Sequence, residues 1–154
     1  MENKVGASEN QYVLFQLDNE YYGIDILQVE TIERVMDITR VPHALDYVQG
    51  VINLRGEVVP VVNLRKRFNL PEVSVNDESR IIIVSVEDIV VGLLVDASSE
   101  VLQLSSDEID DASNIADNTG NGFVKGIGKN GHRMIILLDL KKVLDIAEHS
   151  DPME

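Results

Sequence analysis

Aligned with itself, the chain repeats. FQLDNEYYGI (Phe15 to Ile24) and VSVEDIVVGL (Val84 to Leu93) share an apolar run, an acidic two-residue turn, a second apolar run and a glycine, at an offset of 69 residues. VQGVINLRGEVVPVVNLRKRFNL, from Val48, matches VKGIGKNGHRMIILLDLKKVLDI, from Val124, without a gap at an offset of 76. This second match pairs Gly50 with Gly126, Val62 with Leu138, Asn63 with Asp139 and Lys66 with Lys142. Such a chain packs two copies of one unit, read as hairpin, linker, hairpin, helix. The growth in offset places the extra residues of the second copy in the polar, acidic stretch Ser105 to Gly122.

The repeated runs are short, rich in β-branched residues and closed by turn chemistry. They predict strands at Tyr12–Leu17, Tyr21–Ile26, Val48–Leu54, Val58–Val62, Arg80–Val86, Ile89–Val95, Phe123–Ile127 and Met134–Leu138. Asp18-Asn19, Glu87-Asp88 and Asn130-Gly131 lie between such runs at tight hairpin spacing, so the flanking strands are expected to pair antiparallel. Helices are few. Asp139 stands as an N-cap before Leu140, Val143, Leu144 and Ala147, and Asn63 stands likewise before Leu64 and Phe68. In Asp25–Val35, apolar residues recur every third position while β-branched content favours a strand, which predicts a helical turn followed by a strand. The expected fold is mainly β, two small barrels packed together. With 154 residues and 44% hydrophobic content, the chain suffices for one domain or two very small ones sharing a core.

Charge and composition exclude several functions. A net charge of -14, from 13 Lys+Arg against 27 Asp+Glu, opposes nucleic acid or an anionic membrane as partner, because affinity for polyanions comes from cations that release counterions. The 5% aromatic content leaves little for base stacking. No apolar run approaches the roughly 18 residues of a membrane span, and MENKVGASEN lacks the apolar core of a secretory signal, so a cytoplasmic location is expected. Without cysteine, thiol redox chemistry and thiolate zinc sites are out of reach.

Enzyme and cofactor motifs fare no better. Gly126-Ile127-Gly128-Lys129-Asn130-Gly131 fits the dinucleotide pattern G-x-G-x-x-G in letters, but a strand follows where a phosphate-binding helix is required. Asp117, Thr119, Asn121 and Gly122 resemble a calcium loop, yet its twelfth position is Gly128 where a bidentate glutamate is needed. His43, His132 and His149 are scattered, with nothing to pair any of them with a nucleophile or a metal. Ser105 and Glu108 have capping-box spacing, with Asp107, Asp110 and Asp111 as a solvated face around them. Neither catalytic residue, cofactor nor metal is expected.

One turn is unlike the others. Where the second copy uses Lys-Asn-Gly-His, the first uses Asn53-Leu54-Arg55-Gly56, and a turn by itself needs neither the leucine nor the arginine. Two readings remain from the residues alone: an internal ion pair with a leucine folded onto the core, or a tip that contacts a partner.

Several stretches resemble the bacterial chemotaxis coupling proteins, the CheW family. They are Gly23-Ile24-Asp25-Ile26, Val48-Gln49-Gly50-Val51-Ile52-Asn53-Leu54-Arg55-Gly56, Val59-Pro60-Val61-Val62-Asn63-Leu64-Arg65 and Met134-Ile135-Ile136-Leu137. The likeness runs from about Gln11 to Ala147, and G-V-x-N-L-R-G followed by V-P-V-V-x-L is its most specific part. It implies a non-catalytic adaptor of two intertwined five-stranded Src-homology-3-like barrels with short helices, one of them C-terminal. It also implies a single domain over residues 11–147, with halves at about 11–75 and 80–147 and flexible tails at 1–10 and 148–154.

Such an adaptor joins the cytoplasmic helical tips of transmembrane chemoreceptors to the regulatory domain of the histidine kinase CheA. It is recruited to receptor arrays at the inner face of the membrane without inserting into it, and the groove between the barrels receives the receptor tip. The alternative is a related adaptor of another sensory or motility array. Position by position, the resemblance makes Val29, Gly50, Asn53, Leu54 and Arg55 the receptor- or kinase-binding residues. Thr31 stands where a family member places a carboxylate to pair with the arginine. Strand alternation puts Glu33 on the face shared by Val29 and Thr31, making it the candidate internal partner of Arg55.

Overall fold

A computed structural model describes residues 10–111 and 122–145. Within them the chain forms β1 (Gln11–Leu17), β2 (Glu20–Asp25), a 3-10 turn (Ile26–Gln28), β3 (Val29–Arg34), β4 (Val48–Leu54), β5 (Glu57–Asn63) and α1 (Leu64–Arg67). There follow β6 (Arg80–Val86), β7 (Ile89–Val95), β8 (Ala97–Gln103), a second 3-10 turn (Ser106–Glu108), β9 (Ile109–Asp111), β10 (Val124–Asn130), β11 (Arg133–Leu138) and α2 (Leu140–Val143). The protein is mainly β, with short helices.

Local chemistry accounts for the punctuation. Asp18 and Asn19 have φ of 55° and 72°, and Glu87 and Asp88 have 51° and 70°, both central residues left-handed as the favoured two-residue hairpin turn requires. Asn63 and Asp139 cap α1 and α2 as expected, their side chains accepting from the N–H groups of Lys66 and Lys142. The helical turn and strand expected in Asp25–Val35 are the first 3-10 turn and β3. At the second 3-10 turn the Glu108 carboxylate accepts from the Ser105 N–H at 2.9 Å, completing the capping box read from the sequence. The β10–β11 loop differs by one residue from expectation: Asn130 pairs with Arg133, so Gly131 and His132 form the loop.

Two strands escaped the sequence reading. β8 is ASSEVLQ, whose weak apolar pattern hides a strand recruited by pairing to β1, and β9 has only three residues. Ala147, the calcium-like Asp117, Thr119 and Asn121, His149 and the two tails lie outside the described residues.

One sheet has the order β3-β6-β7-β5-β4 and the other β8-β1-β2-β11-β10-β9. The parallel pairs reveal how the repeat folds: β5 runs beside β7, with Val61 opposite Gly92, and β11 runs beside β2, with Leu137 opposite Gly23. Each sheet therefore joins a hairpin of one half of the sequence to a hairpin of the other. The sixth strand of the larger sheet is β9. At the corresponding place in the five-stranded sheet there is a single bridge, Thr39 to Val51. By contacts the chain divides into two compact units, one of Phe15–Glu20 and Leu27–Glu100, the other of Tyr21–Ile26 with the described parts of Met1–Leu14 and Val101–Glu154.

The cores repeat as well. In the first unit Ile52, Val59, Val61, Ile81, Ile83 and Leu94 form a buried cluster. In the second it is Tyr12, Leu14, Leu104, Ile135 and Leu137. By the two offsets, Val59 corresponds to Ile135, Val61 to Leu137, Ile81 to Tyr12 and Ile83 to Leu14. The position of Ile52 is Gly128 in the second copy, and a Cβ there would meet Leu104 Cδ1 at 2.5 Å. Leu104, the counterpart of Val35, fills that space. A small residue on one strand is offset by a larger one on its neighbour, as close packing demands.

Candidate protein-binding site

The candidate site lies in the unit Phe15–Glu20 and Leu27–Glu100, around the turn joining β4 and β5. Leu54 pairs with Glu57, leaving Arg55 and Gly56 as the two loop residues. Both are left-handed, with φ of 52° and 89°. The equivalent of Arg55 in the second copy is Gly131, at φ 61°. For a residue with a Cβ this backbone region costs about 1–2 kcal/mol, which glycine avoids. An arginine thus occupies a position whose backbone favours glycine, and its side chain is 67% exposed.

Among the described residues the guanidinium has one internal partner. Arg55 Nη2 donates to Glu33 Oε2 at 3.2 Å, as the alternation along β3 suggested. Glu33 is the more enclosed member, with a side chain 19% exposed. A single contact leaves most of the guanidinium's five N–H donors facing solvent. Thr31, on the same face of β3, plays no part in this pair, and its buried Oγ1 has no hydrogen-bond partner among the described residues.

β3 and β4 are the two edges of their sheet in the pairing order, so the Arg55–Glu33 contact reports that the sheet curls on itself. Thr39 and Val51 close the same seam, each N–H donating to the other's carbonyl at 2.8 Å. Gly50 makes that approach possible. Its φ is 152°, and a Cβ built on it would stand 2.2 Å from the Thr39 carbonyl oxygen.

The five residues expected to bind partners therefore occupy different positions. Gly50 sets the seam. Asn53 shapes the turn, its Oδ1 accepting from the Gly56 N–H at 2.9 Å. Leu54 is half-buried and folds back against the cluster of Ile52, Val59 and Val61. Val29 is half-buried at the start of β3, opposite Val84. Only Arg55 projects outward as a charged group, beside Glu33 on the strand that carries Val29.

Sequence reasoning missed a buried ion pair in this unit. Arg65, only 8% exposed, donates from Nε and Nη2 to the two carboxylate oxygens of Asp96 at 2.9 and 2.7 Å, and from Nη1 to the Pro71 carbonyl at 2.6 Å. Asp18 adds a third carboxylate contact at 3.6 Å, and its N–H donates to Asp96 Oδ2. Burial by itself would raise the Asp96 carboxyl, but the bidentate bond from Arg65 and the Asp18 N–H outweigh it and hold the group below its ordinary value. The Arg65 guanidinium is shifted further up, chiefly by its bond to Asp96. This pair pins α1 to the end of β7. The signal was one arginine in the frame VVNLRKRF, indistinguishable in sequence from Lys66 and Arg67 beside it, which are less buried.

Among the described residues no three or more His, Asp or Glu side chains gather as metal ligands. The G-x-G-x-x-G letters lie along β10 and its turn into β11.

Comparisons with known proteins agree with this geometry. The family model described as "CheW-like domain" matches residues 11–148. "Chemotaxis protein CheW" of Bacillus subtilis is 40% identical over 133 residues, covering 86% of this chain and 85% of the relative. The protein of the same name from Klebsiella aerogenes is 38% identical over 138 residues, covering 90% and 83%. A crystal structure of the scaffolding protein TtCheW from Thermoanaerobacter tengcongensis superposes with a TM-score of 0.82 at 33% identity, covering 92% of this chain and 97% of that one.

Proposed function

The chain belongs to the CheW family, a family of non-catalytic chemotaxis scaffolds, and from that premise we propose that it couples transmembrane chemoreceptors to the histidine kinase CheA. The observation that carries this reading is Arg55: exposed, left-handed, and standing where the sister hairpin has glycine. A backbone cost borne at an exposed tip gains nothing for packing, which supports a role in contact with another molecule.

In this reading Arg55 is the contact residue, and it presents its unused N–H edge to a carboxylate or backbone carbonyl of the partner. Val29 adds apolar area beside it. Gly50, Asn53 and Leu54 hold the tip in place. The partners are the helical tip of a methyl-accepting receptor and the regulatory domain of CheA, and residues 11–147 act as one domain. Among the described residues no helix is long and apolar enough to cross a membrane. Array recruitment at the inner face of the membrane then depends on receptor contact.

Co-sedimentation with receptor-containing membranes, with and without CheA, tests the reading. Kinase is expected to pellet only when this protein is present. Arg55→Glu should reduce that recruitment about tenfold or more, the size of effect expected of an interface anchor, with an unchanged circular dichroism spectrum. Kinase recruitment independent of the protein, or undiminished by Arg55→Glu, would refute the corresponding part of the proposal.

A further inference from the structure

A second recess in the same unit is unconnected with the Arg55 tip. It is a pocket of about 430 Å³ formed by the segment Arg40–Asp46, the start of β4 at Val48 and Gln49, and Lys66 of α1. That volume is in the range of small-molecule sites. In a chain with twice as many acidic as basic residues, the polar lining here runs the other way: Arg40, His43, Lys66 and Gln49 line it, with Asp46 the only carboxylate among the described lining residues.

The polar groups are unevenly engaged. Arg40 and His43 have no hydrogen bond or ion pair with other described residues. His43 is held in a left-handed conformation, φ 64°, inside a turn in which the Ala44 N–H donates to the Val41 carbonyl. Gln49 accepts through Oε1 from Asn63 Nδ2 at 3.0 Å, which leaves its own amide N–H groups available as donors. Lys66 is half-enclosed and lies 3.3 Å from Glu72, but 3.9 Å from Asp46, whose side chain is 91% exposed. Lys66 is thus shared with carboxylates, while Arg40, His43 and Gln49 lie exposed along the recess.

We infer that this pocket binds a small multivalent oxyanion, a phosphate or a polycarboxylate, through Arg40, His43, Lys66 and the Gln49 amide. Two cations, Arg40 and Lys66, with the Gln49 amide and the His43 ring in the same lining suit a ligand of charge two or more, which can take charge-assisted hydrogen bonds from more than one of them. A bound anion ties the segment after β3 to β4 and α1, beside the Thr39–Val51 seam.

Titration of the full chain with inorganic phosphate and, separately, with citrate tests this, at ionic strength held constant with sodium chloride and read by nuclear magnetic resonance. The Gln49 side-chain amide and the His43 ring signals are expected to shift and saturate with at least one of the two anions. Saturation by phosphate alone marks a phosphoryl ligand, and by citrate alone a carboxylate one. Arg40→Gln, a change at an exposed side chain, should weaken the saturating anion about tenfold, as loss of one charge-assisted contact does. Gln49→Ala gives an independent check that removes no charge. Shifts that rise linearly without saturating for both anions, or an affinity unaltered in both variants, would overturn the inference.

Discussion

The β4–β5 and β10–β11 hairpins are built on one repeated pattern and depart from each other at two places. Both have the burial pattern ieBiBei on their first strand, a register shift at its start and a capped helix after the second. They differ at the tip and at the seam. The β10–β11 turn places glycine at the left-handed position, and β10 is closed by the three-residue strand β9 with Lys129 near Asp110 at 3.4 Å. The β4–β5 turn places arginine there, and its seam is one bridge and an ion pair to Glu33. Where the same backbone is built twice, the copy that departs from the low-strain solution is the one on which the proposed partner contact rests.

The comparison breaks most sharply at the paired seam glycines. Gly50→Ala combines a glycine-favoured φ with a clash against the Thr39 backbone, so a loss of about 4 kcal/mol in urea denaturation is expected. Gly126→Ala meets the Asp110 carbonyl oxygen at 2.9 Å and is expected to cost about 1–2 kcal/mol, since only overpacking acts there. Equal costs would show that the two seams are equivalent.

Next comes the buried pair. The counterpart of Arg65 in the second copy is the exposed Lys141. Asp96→Asn leaves Arg65 only the longer carboxylate contact with Asp18 and should cost about 3 kcal/mol, the low end for breaking a buried pair because Asp96 keeps some solvent contact. The Asp96 carboxyl is depressed in the folded state, so its stabilisation is full above its unfolded value and is lost as pH falls through the folded one. Wild-type stability should therefore drop on acidification below about pH 4, where Asp96 begins to protonate in the unfolded chain, and Asp96→Asn should show a shallower drop over that window. Parallel pH profiles would deny Asp96 this role.

The tips themselves give smaller effects. Gly131→Arg imposes on the second hairpin the strain the first one bears and should cost about 1 kcal/mol. Arg55→Gly relieves that strain but removes an exposed ion pair, so stability should change by less than about 1 kcal/mol while receptor and kinase recruitment falls. Smallest of all, Glu33→Gln should alter stability by only about 0.5 kcal/mol. If Glu33→Gln instead cost as much as Asp96→Asn, the Arg55 contact would be structural.

Much of this fold was legible in the chain. Strong alternation and tight turns gave Val48–Leu54, Arg80–Val86 and Ile89–Val95 to the residue, because each buries both or one of its faces and so fixes its own period. β8 was not legible, since its stability comes from the strand it pairs with and its own residues are mostly polar. The site was legible in part. Arg55 stood out against its repeat, and Glu33 followed from alternation along β3. The structural roles of Gly50, Asn53 and Leu54 did not, because a motif string records which residues occur together and not which of them touch the backbone.

The sequence by itself determined that this protein is two copies of a β unit with capped helices, because period, turn chemistry and capping act over a few residues and are written locally. Tertiary structure alone decided which hairpin pairs with which, so that β5 lies beside β7 and β11 beside β2. It also brought Arg65 to Asp96, and Thr39 to Val51, across sequence separations that no local pattern encodes. Those choices are made by the closure of curved sheets, where edges distant in the chain must satisfy one another's hydrogen bonds.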